Sequence, residues 1–395
     1  MSGGFLDGVR VLDLSMLGPG ALAGHLVDLG ADVIKVEAPA GDYVRQMTWP
    51  IVHDEHGANS LLHLHLNRGK RSVVLDLKAD DDRERFAALV RSSHVVIEGM
   101  RPGFLDKIGF GFERLKELQP SIVVCSLSGY GATGPYRNLP SHGIAYDAWS
   151  GVVEPVTDDE GFAHIPPQAN VGITAGPAFA AMAILAALVR ARTTGEPAGM
   201  EIAQSDASAY FDWYRIETEQ AYRRPADEVT GNASDGGERR PAGLGGMWEG
   251  VRYQFYASSD GYVLFMASEQ VFWKRFCEGV GRPDLFERWP GSTYADHARG
   301  NKELQAALRD IFATRTTADW LAFAAAHDTT IAPANTAATI ANDPQFQDRL
   351  TWVGADQLGC DQLLFPLKVQ GEDLPAPGRA PDVGQHTAEV LDGLA

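Results

Sequence analysis

Cations and glycines placed at the ends of apolar runs decide what chemistry this chain can do. Asn67-Arg68-Gly69-Lys70-Arg71-Ser72 leads into the apolar run 73–77, and Arg101 follows the run 94–98. Guanidinium forks and an ammonium group suit a chain of phosphates. Gly18-Pro19-Gly20 follows the run 9–15, Gly24 comes four residues later, and Glu37 closes the next run. In a dinucleotide site such glycines approach a pyrophosphate and such an acid holds a ribose. The spacing here is one residue off that fingerprint. It therefore reads as an anion or adenosine site at a strand end rather than a nicotinamide site. The pairs His53/His56 and His63/His65 look metal-like, but no Cys or carboxylate set stands at ligand spacing, so no metal site is expected. Ser126-Leu127-Ser128-Gly129 lacks the frame of a nucleophile elbow.

These residues need a scaffold, and the apolar periodicity supplies one. Strands are expected at 9–15, 32–37, 73–77, 94–98 and 122–127. Helices are expected from Gly20 to about 29, over 80–92 and over 102–118. Strands alternating with helices at this spacing predict an α/β fold with a mostly parallel sheet. The nearly all-apolar stretch 176–192 reads as a buried helix, with Thr174 as N-cap and Pro177 in its first turn. A further helix is expected over 201–214. The stretch 223–246, rich in Gly, Pro and charge, reads as a linker or mobile loop. A hairpin, 253–257 with 262–267, and three helices follow as a smaller α+β unit. The chain then returns through 343–395, with a strand near 362–369.

The chain has 395 residues, 45% hydrophobic and 22% charged, with 34 basic against 52 acidic residues for a net charge of −18. That acidity disfavours nucleic acid and anionic membranes as partners. Cys125, Cys277 and Cys360 lie far apart and suit a reducing cytoplasm. The first residues show no signal pattern, and the apolar core 177–189 is too short to span a bilayer.

The blocks 30–42, 66–78, 97–115 and 125–136, joined later by 259–285, resemble the family III CoA-transferases. That group includes formyl-CoA transferase, carnitine CoA-transferase and α-methylacyl-CoA racemase. The resemblance implies a Rossmann-like CoA-binding large domain over 1–200 and a linker helix with a mobile glycine loop over 201–247. A small α+β domain over 248–330 and a returning segment over 331–395 complete it. It also implies an interlocked homodimer, with CoA or acyl-CoA as substrate, a carboxylic acid as acceptor and no permanently bound cofactor. On the same carry-over Arg45, Lys70, Arg71 and Arg101 bind or border the CoA phosphates and adenosine. Gly18 and the 129–134 loop with Gly131 shape the thioester pocket, and the 236–246 loop closes over it.

The catalytic set departs from the family pattern. Its transferases use an aspartate as nucleophile in a V-G-D-like segment before a buried helix. Here that segment is Val171-Gly172-Ile173-Thr174, and Ile173 can be neither nucleophile nor leaving group. The racemases add a histidine supported by a glutamate, and His142 and Glu269 match those positions. Asp147, five residues after His142, is a candidate for a displaced carboxylate, although a cap or turn role also fits it. Asp206 reads as structural. Three functions follow from the resemblance: CoA transfer between acids, α-proton transfer by His142 with Glu269, or a CoA-binding subunit that lacks its own carboxylate. Trp149, Tyr210, Trp213, Tyr214 and Trp248 could line an apolar acyl pocket or pack in a core.

Overall fold

A computed structural model describes residues 4–167, 170–233, 236–292 and 296–394. The chain divides into two compact units, Met1–Phe211 with Gln347–Ala395, and Asp212–Phe346. The first is built on six strands: β1 (Arg10–Leu14), β2 (Asp32–Glu37), β3 (Arg71–Val74), β4 (Val95–Glu98), β5 (Val123–Ser128) and β6 (Ala198–Ala203). They run in the order β6-β5-β4-β1-β2-β3, and every pairing is parallel. This is the doubly wound order, whose direction of winding reverses between β1 and β4.

The inner strands are almost continuously apolar because both faces are covered. On one face Val11, Val33, Val95 and Cys125 pack with Leu22 and Leu26 of α1 (Gly20–Asp28), and with Ala180, Ile184 and Leu188 of α7 (Gly172–Thr194). On the other, Leu12, Ile34 and Val96 pack with Phe86 and Leu89 of α3 (Asp80–Arg91) and Leu115 of α5 (Phe112–Leu118). The second unit has the antiparallel sheet β7 (Tyr253–Ala257), β8 (Tyr262–Met266) and β9 (Ile331–Pro333). Its core is aromatic, with Trp273, Phe276, Phe312 and Trp320 buried together.

Four local expectations change. The stretch expected to start a helix at 201 is instead β6, and its helix α8 begins at Gln204 (Gln204–Phe211). An edge strand with alternating exposure and two Gly or Glu positions carries little strand signal. The helix expected over 102–118 is two, α4 (Phe104–Lys107) and α5, separated by Gly109 at φ +78°. The strand near 362–369 shrinks to Gln362–Leu363. The helix α7 starts at Gly172, so Pro177 lies inside it and Thr174 is not its cap. The Thr174 hydroxyl donates back to the Asn170 and Val171 carbonyls. At 23 residues α7 is long and apolar enough to cross a membrane, yet its Ala180, Ile184 and Leu188 stripe belongs to the core.

Under the carboxyl end of β1 lies a buried cluster of charges. Lys70 Nζ is 2.8 Å from Asp13 Oδ2 with both side chains fully buried, and it also donates to the Gly20 carbonyl and to Asn67. Lys35 Nζ donates to the Ser15 carbonyl and pairs with Asp42 at 2.9 Å. Burial drives the Lys70 pKa down to about 8 against the pull of Asp13. For Asp13 burial acts upward, but Lys70 and Lys35 outweigh it and hold the carboxyl below its usual range. Removing one member of such a pair strands the other's charge. Lys70→Met is therefore expected to lower the unfolding free energy by about 3–5 kcal/mol, read as a drop in the urea midpoint at unchanged m-value.

Two histidines of α2 (Leu61–Asn67) share this neighbourhood. Burial first, then Arg45, drives His63 down to about 3, while burial and Arg68 drive His65 down to about 4. The unfolded chain binds these protons from about pH 6.5 downward and the folded chain does not. Stability is thus expected to fall as pH drops from about 6.5 toward 4, by up to about 1.4 kcal/mol per pH unit for each histidine. His65→Gln should flatten that slope in urea titrations across the range, and an unchanged slope would refute the assignment.

Candidate functional site

Open parallel sheets bind ligands outside the carboxyl ends of their strands, where the winding reverses. Here that point is the crevice between the loops following β1 and β4. The two loops touch: a methyl group on Gly99 would lie 2.6 Å from Pro19 Cβ and 2.9 Å from Ser15 Cβ. Arg101 stands on the β4 loop, exposed, and its side chain makes no ion pair with any described residue. A cavity of about 340 Å³ opens beside it at the ends of β4 to β6. Glu98, Asp106 and Glu201 are among its lining residues. Burial raises the Glu98 pKa, with Ser126 and the Met100 N–H acting against it and Asp106 adding to it. Three carboxylates make this cavity hostile to phosphate, and Arg101 is the exposed cation on the loop beside it.

The other cations expected at phosphates are engaged elsewhere. Lys70 is the counter-ion of Asp13 and does not reach the surface. Arg71 opens β3, but its guanidinium folds back onto Asp32, the first residue of β2, with contacts of 2.6, 2.7 and 3.0 Å. That lies at the amino edge of the sheet, opposite the crevice. Arg45 donates to both oxygens of Glu37, to His63 Nε2 and to the Pro381 carbonyl. Glu37 is thereby saturated, since Ser72 Oγ and the Asp42 N–H also donate to it, and no ribose-binding acid remains. Gly131 sits at φ +81° with its N–H donating to Ser128 Oγ, a turn after β5. Among the described residues no three of His, Cys, Asp or Glu gather where a metal could be held.

The head of α7 is the second half of the site. Gly18 packs against it so closely that a methyl group there would lie 3.2 Å from Ile173 Cβ and 3.1 Å from Gln204 Oε1. Ile173 thus borders the loop that leads to the crevice, and its side chain carries no charge to it. Asp147, on α6 (Ile144–Ser150), is fully buried. Its carboxylate accepts from the Val171 N–H at 3.0 Å, the Gly172 N–H at 2.7 Å and Ser208 Oγ at 2.6 Å. It therefore caps the helix from a distant segment. These three bonds give its carboxylate a capping role at the head of α7. Ser208 Oγ also meets Ser150 Oγ at 2.9 Å, which closes the network.

His142 precedes α6 and is exposed, and its ring has no hydrogen-bond partner among the described residues. Glu269 is an exposed residue at the start of α9 (Gln270–Gly279), and its side chain does not cap that helix. The two belong to different units. The 236–246 stretch also lies in the second unit and ends in the short turn Gly243–Met247. Gln204 escaped sequence reading altogether. A polar residue between a strand and a helix carries no signal of burial.

The strand order makes this a doubly wound α/β protein, with Arg101 at its switch point free of ion pairs among the described residues. More specifically, the chain belongs to CoA-transferase family III, whose model matches residues 6–387. It is 32% identical to the succinyl-CoA:mesaconate CoA-transferase of Haloarcula hispanica, over 98% of this chain and 96% of that protein. It is 25% identical to the α-methylacyl-CoA racemase of Homo sapiens, over 98% of this chain and 92% of the racemase. The crystal structure of a CAIB/BAIF family protein from Brucella suis superposes with a TM-score of 0.80 at 26% identity, covering 100% of both chains.

The capping role of Asp147 is checked by its removal. Asp147→Ala is expected to cost about 2–4 kcal/mol of stability, from the lost cap and the stranded N–H and hydroxyl donors. Urea unfolding reads this directly. A variant of unchanged stability that had lost activity would instead mark Asp147 as a reacting group.

Proposed function

We propose that this chain transfers CoA from an acyl-CoA to a carboxylic acid. The observation that carries the reading is the exposed Arg101, without an ion pair among the described residues, at the switch point of a family III chain. A guanidinium there is suited to the phosphates of CoA. The pantetheine arm then runs past Gly18 to the head of α7, where the thioester meets Ile173 and Gln204. The named transferase relative supports this chemistry. A homodimer belongs to the same reading, supported by the exposed Tyr210, Phe211, Trp213 and Tyr214 on one chain. A cytoplasmic setting is supported by three free cysteines.

A second reading is α-proton transfer next to the thioester. It is favoured by the exposed His142 ring, which has no hydrogen-bond partner among the described residues and so is free of structural duty, and by the likeness to the human racemase. One experiment weighs both. Acyl-CoA and a carboxylic acid are incubated with the protein in deuterated water, and the CoA esters are analysed by mass spectrometry. Transfer gives a new CoA ester without deuterium at the α-carbon. Deuterium uptake that vanishes in His142→Ala would establish the second reading instead. In calorimetry Arg101→Ala should weaken CoA binding roughly 10- to 100-fold, the worth of a charge-assisted contact. No heat with the parent protein would overturn both readings.

A further inference from the structure

The loop that carries Arg101 is tied down from within. Glu98 is the last residue of β4 and stands opposite Ser126 of β5 in the parallel register. Its side chain is 3% exposed and lines the cavity at the ends of β4 to β6. One oxygen, Oε1, accepts from Ser126 Oγ at 2.7 Å. The other, Oε2, accepts from the N–H of Met100, the residue before Arg101, at 3.1 Å. Glu98 makes no ion pair with any described residue, and Asp106 and Glu201 of the same cavity add only like charge. A buried carboxylate without a cation is costly, and these two hydrogen bonds offset part of that cost. The backbone on both sides of Arg101 is held as well. A methyl group on Gly99 would lie 2.6 Å from Pro19 Cβ. The Arg101 carbonyl accepts from the Phe104 N–H at 3.1 Å, in a turn that Gly103 completes at φ +81°. The Arg101 side chain itself is exposed and free of ion pairs among the described residues.

We propose that Glu98 is a positioning residue for CoA: through the Met100 N–H it sets the loop from which Arg101 meets the phosphates. The inference rests on the CoA reading and adds a residue that acts through Arg101. A hydrogen bond to an ionised acceptor is roughly twice as strong as a neutral one. That strength is placed where a long, flexible arginine side chain leaves the backbone. An arginine on a mobile loop loses conformational freedom when it binds phosphate, and the loss weakens binding. Glu98 removes that freedom before the ligand arrives. Ser126 holds Oε1 from the neighbouring strand, which leaves Oε2 for Met100. A carboxylate in direct contact with phosphate would repel it, so an acid here serves the loop and not the ligand.

A double-mutant cycle, read by calorimetry with CoA, provides the test. Glu98→Met keeps much of the volume and removes the acceptor, and it should weaken CoA binding roughly 3- to 10-fold. In the Arg101→Ala background the same change should have no further effect, because the loop then has nothing to present. Glu98→Gln keeps a carbonyl for Met100 and offers its NH2 to the Ser126 oxygen, so it should recover most of the lost affinity. Additive losses in the cycle would overturn the inference, since Glu98 would then act apart from Arg101. Tighter CoA binding in both Glu98 variants would overturn it too, by making the carboxylate only a repellent of phosphate. Should Glu98→Met fold poorly, Ser126→Ala takes its place in the cycle. That variant frees one oxygen of the same carboxylate and should show a smaller loss, roughly 2- to 3-fold, again absent beside Arg101→Ala. CoA binding that Arg101→Ala weakens, but that no Glu98 or Ser126 variant alters, refutes this inference only. No heat with CoA on the parent protein refutes the functional reading beneath it.

Discussion

The position of the loop between β1 and α1 depends on one buried ion pair, Lys70 with Asp13. The lysine comes from the start of β3 and the aspartate from the end of β1, so the contact ties strands that are not neighbours in the sheet. The same ammonium holds the Gly20 carbonyl, while Lys35 of β2 holds the Ser15 carbonyl. Two cations thus grip both ends of the 15–20 loop from beneath. A loop of two glycines and a proline has little intrinsic reason to hold one shape. Low-dielectric charge contacts supply that reason, because leaving either partner unpaired is costly. Everything the loop then positions, Gly18 against Ile173 and Pro19 against Gly99, inherits its precision from this pair.

That arrangement explains why the basic cluster was misread and the scaffold was not. Five strands of the sheet show as apolar runs because burial on both faces demands them. The carboxyl ends of those strands follow from the runs, and so does the place of Arg101 on the loop after β4. Charge, by contrast, shows in sequence without its partner. Asp13 is 57 residues from Lys70, and Asp32 is 39 from Arg71. Nothing local distinguishes a cation waiting for phosphate from one matched to a distant aspartate. A similar blindness hid β6, whose Gly199 and Glu201 interrupt the apolar pattern at a half-exposed edge. Asp147 could be read as either a cap or a reacting group, and only the geometry of the α7 head separates the two.

Ile173 is legible as a departure but not as a consequence. From the sequence it reads as a loss, the missing half of a catalytic pair. In the fold it stands in the first turn of α7 against Gly18, beside the buried Gln204, whose Oε1 has no partner among the described residues.

Acyl transfer depends on orientation, and well-oriented reactants can gain effective molarities on the order of 10⁵ M or more. That gain requires walls that do not move, and here the 15–20 loop meets the head of α7 at Gly18 and Ile173. The Asp147 cap, with Ser208 and Ser150 behind it, fixes the first turn of α7. The Lys70–Asp13 pair fixes the opposite wall. Both walls here are held by fully buried aspartates, Asp13 and Asp147.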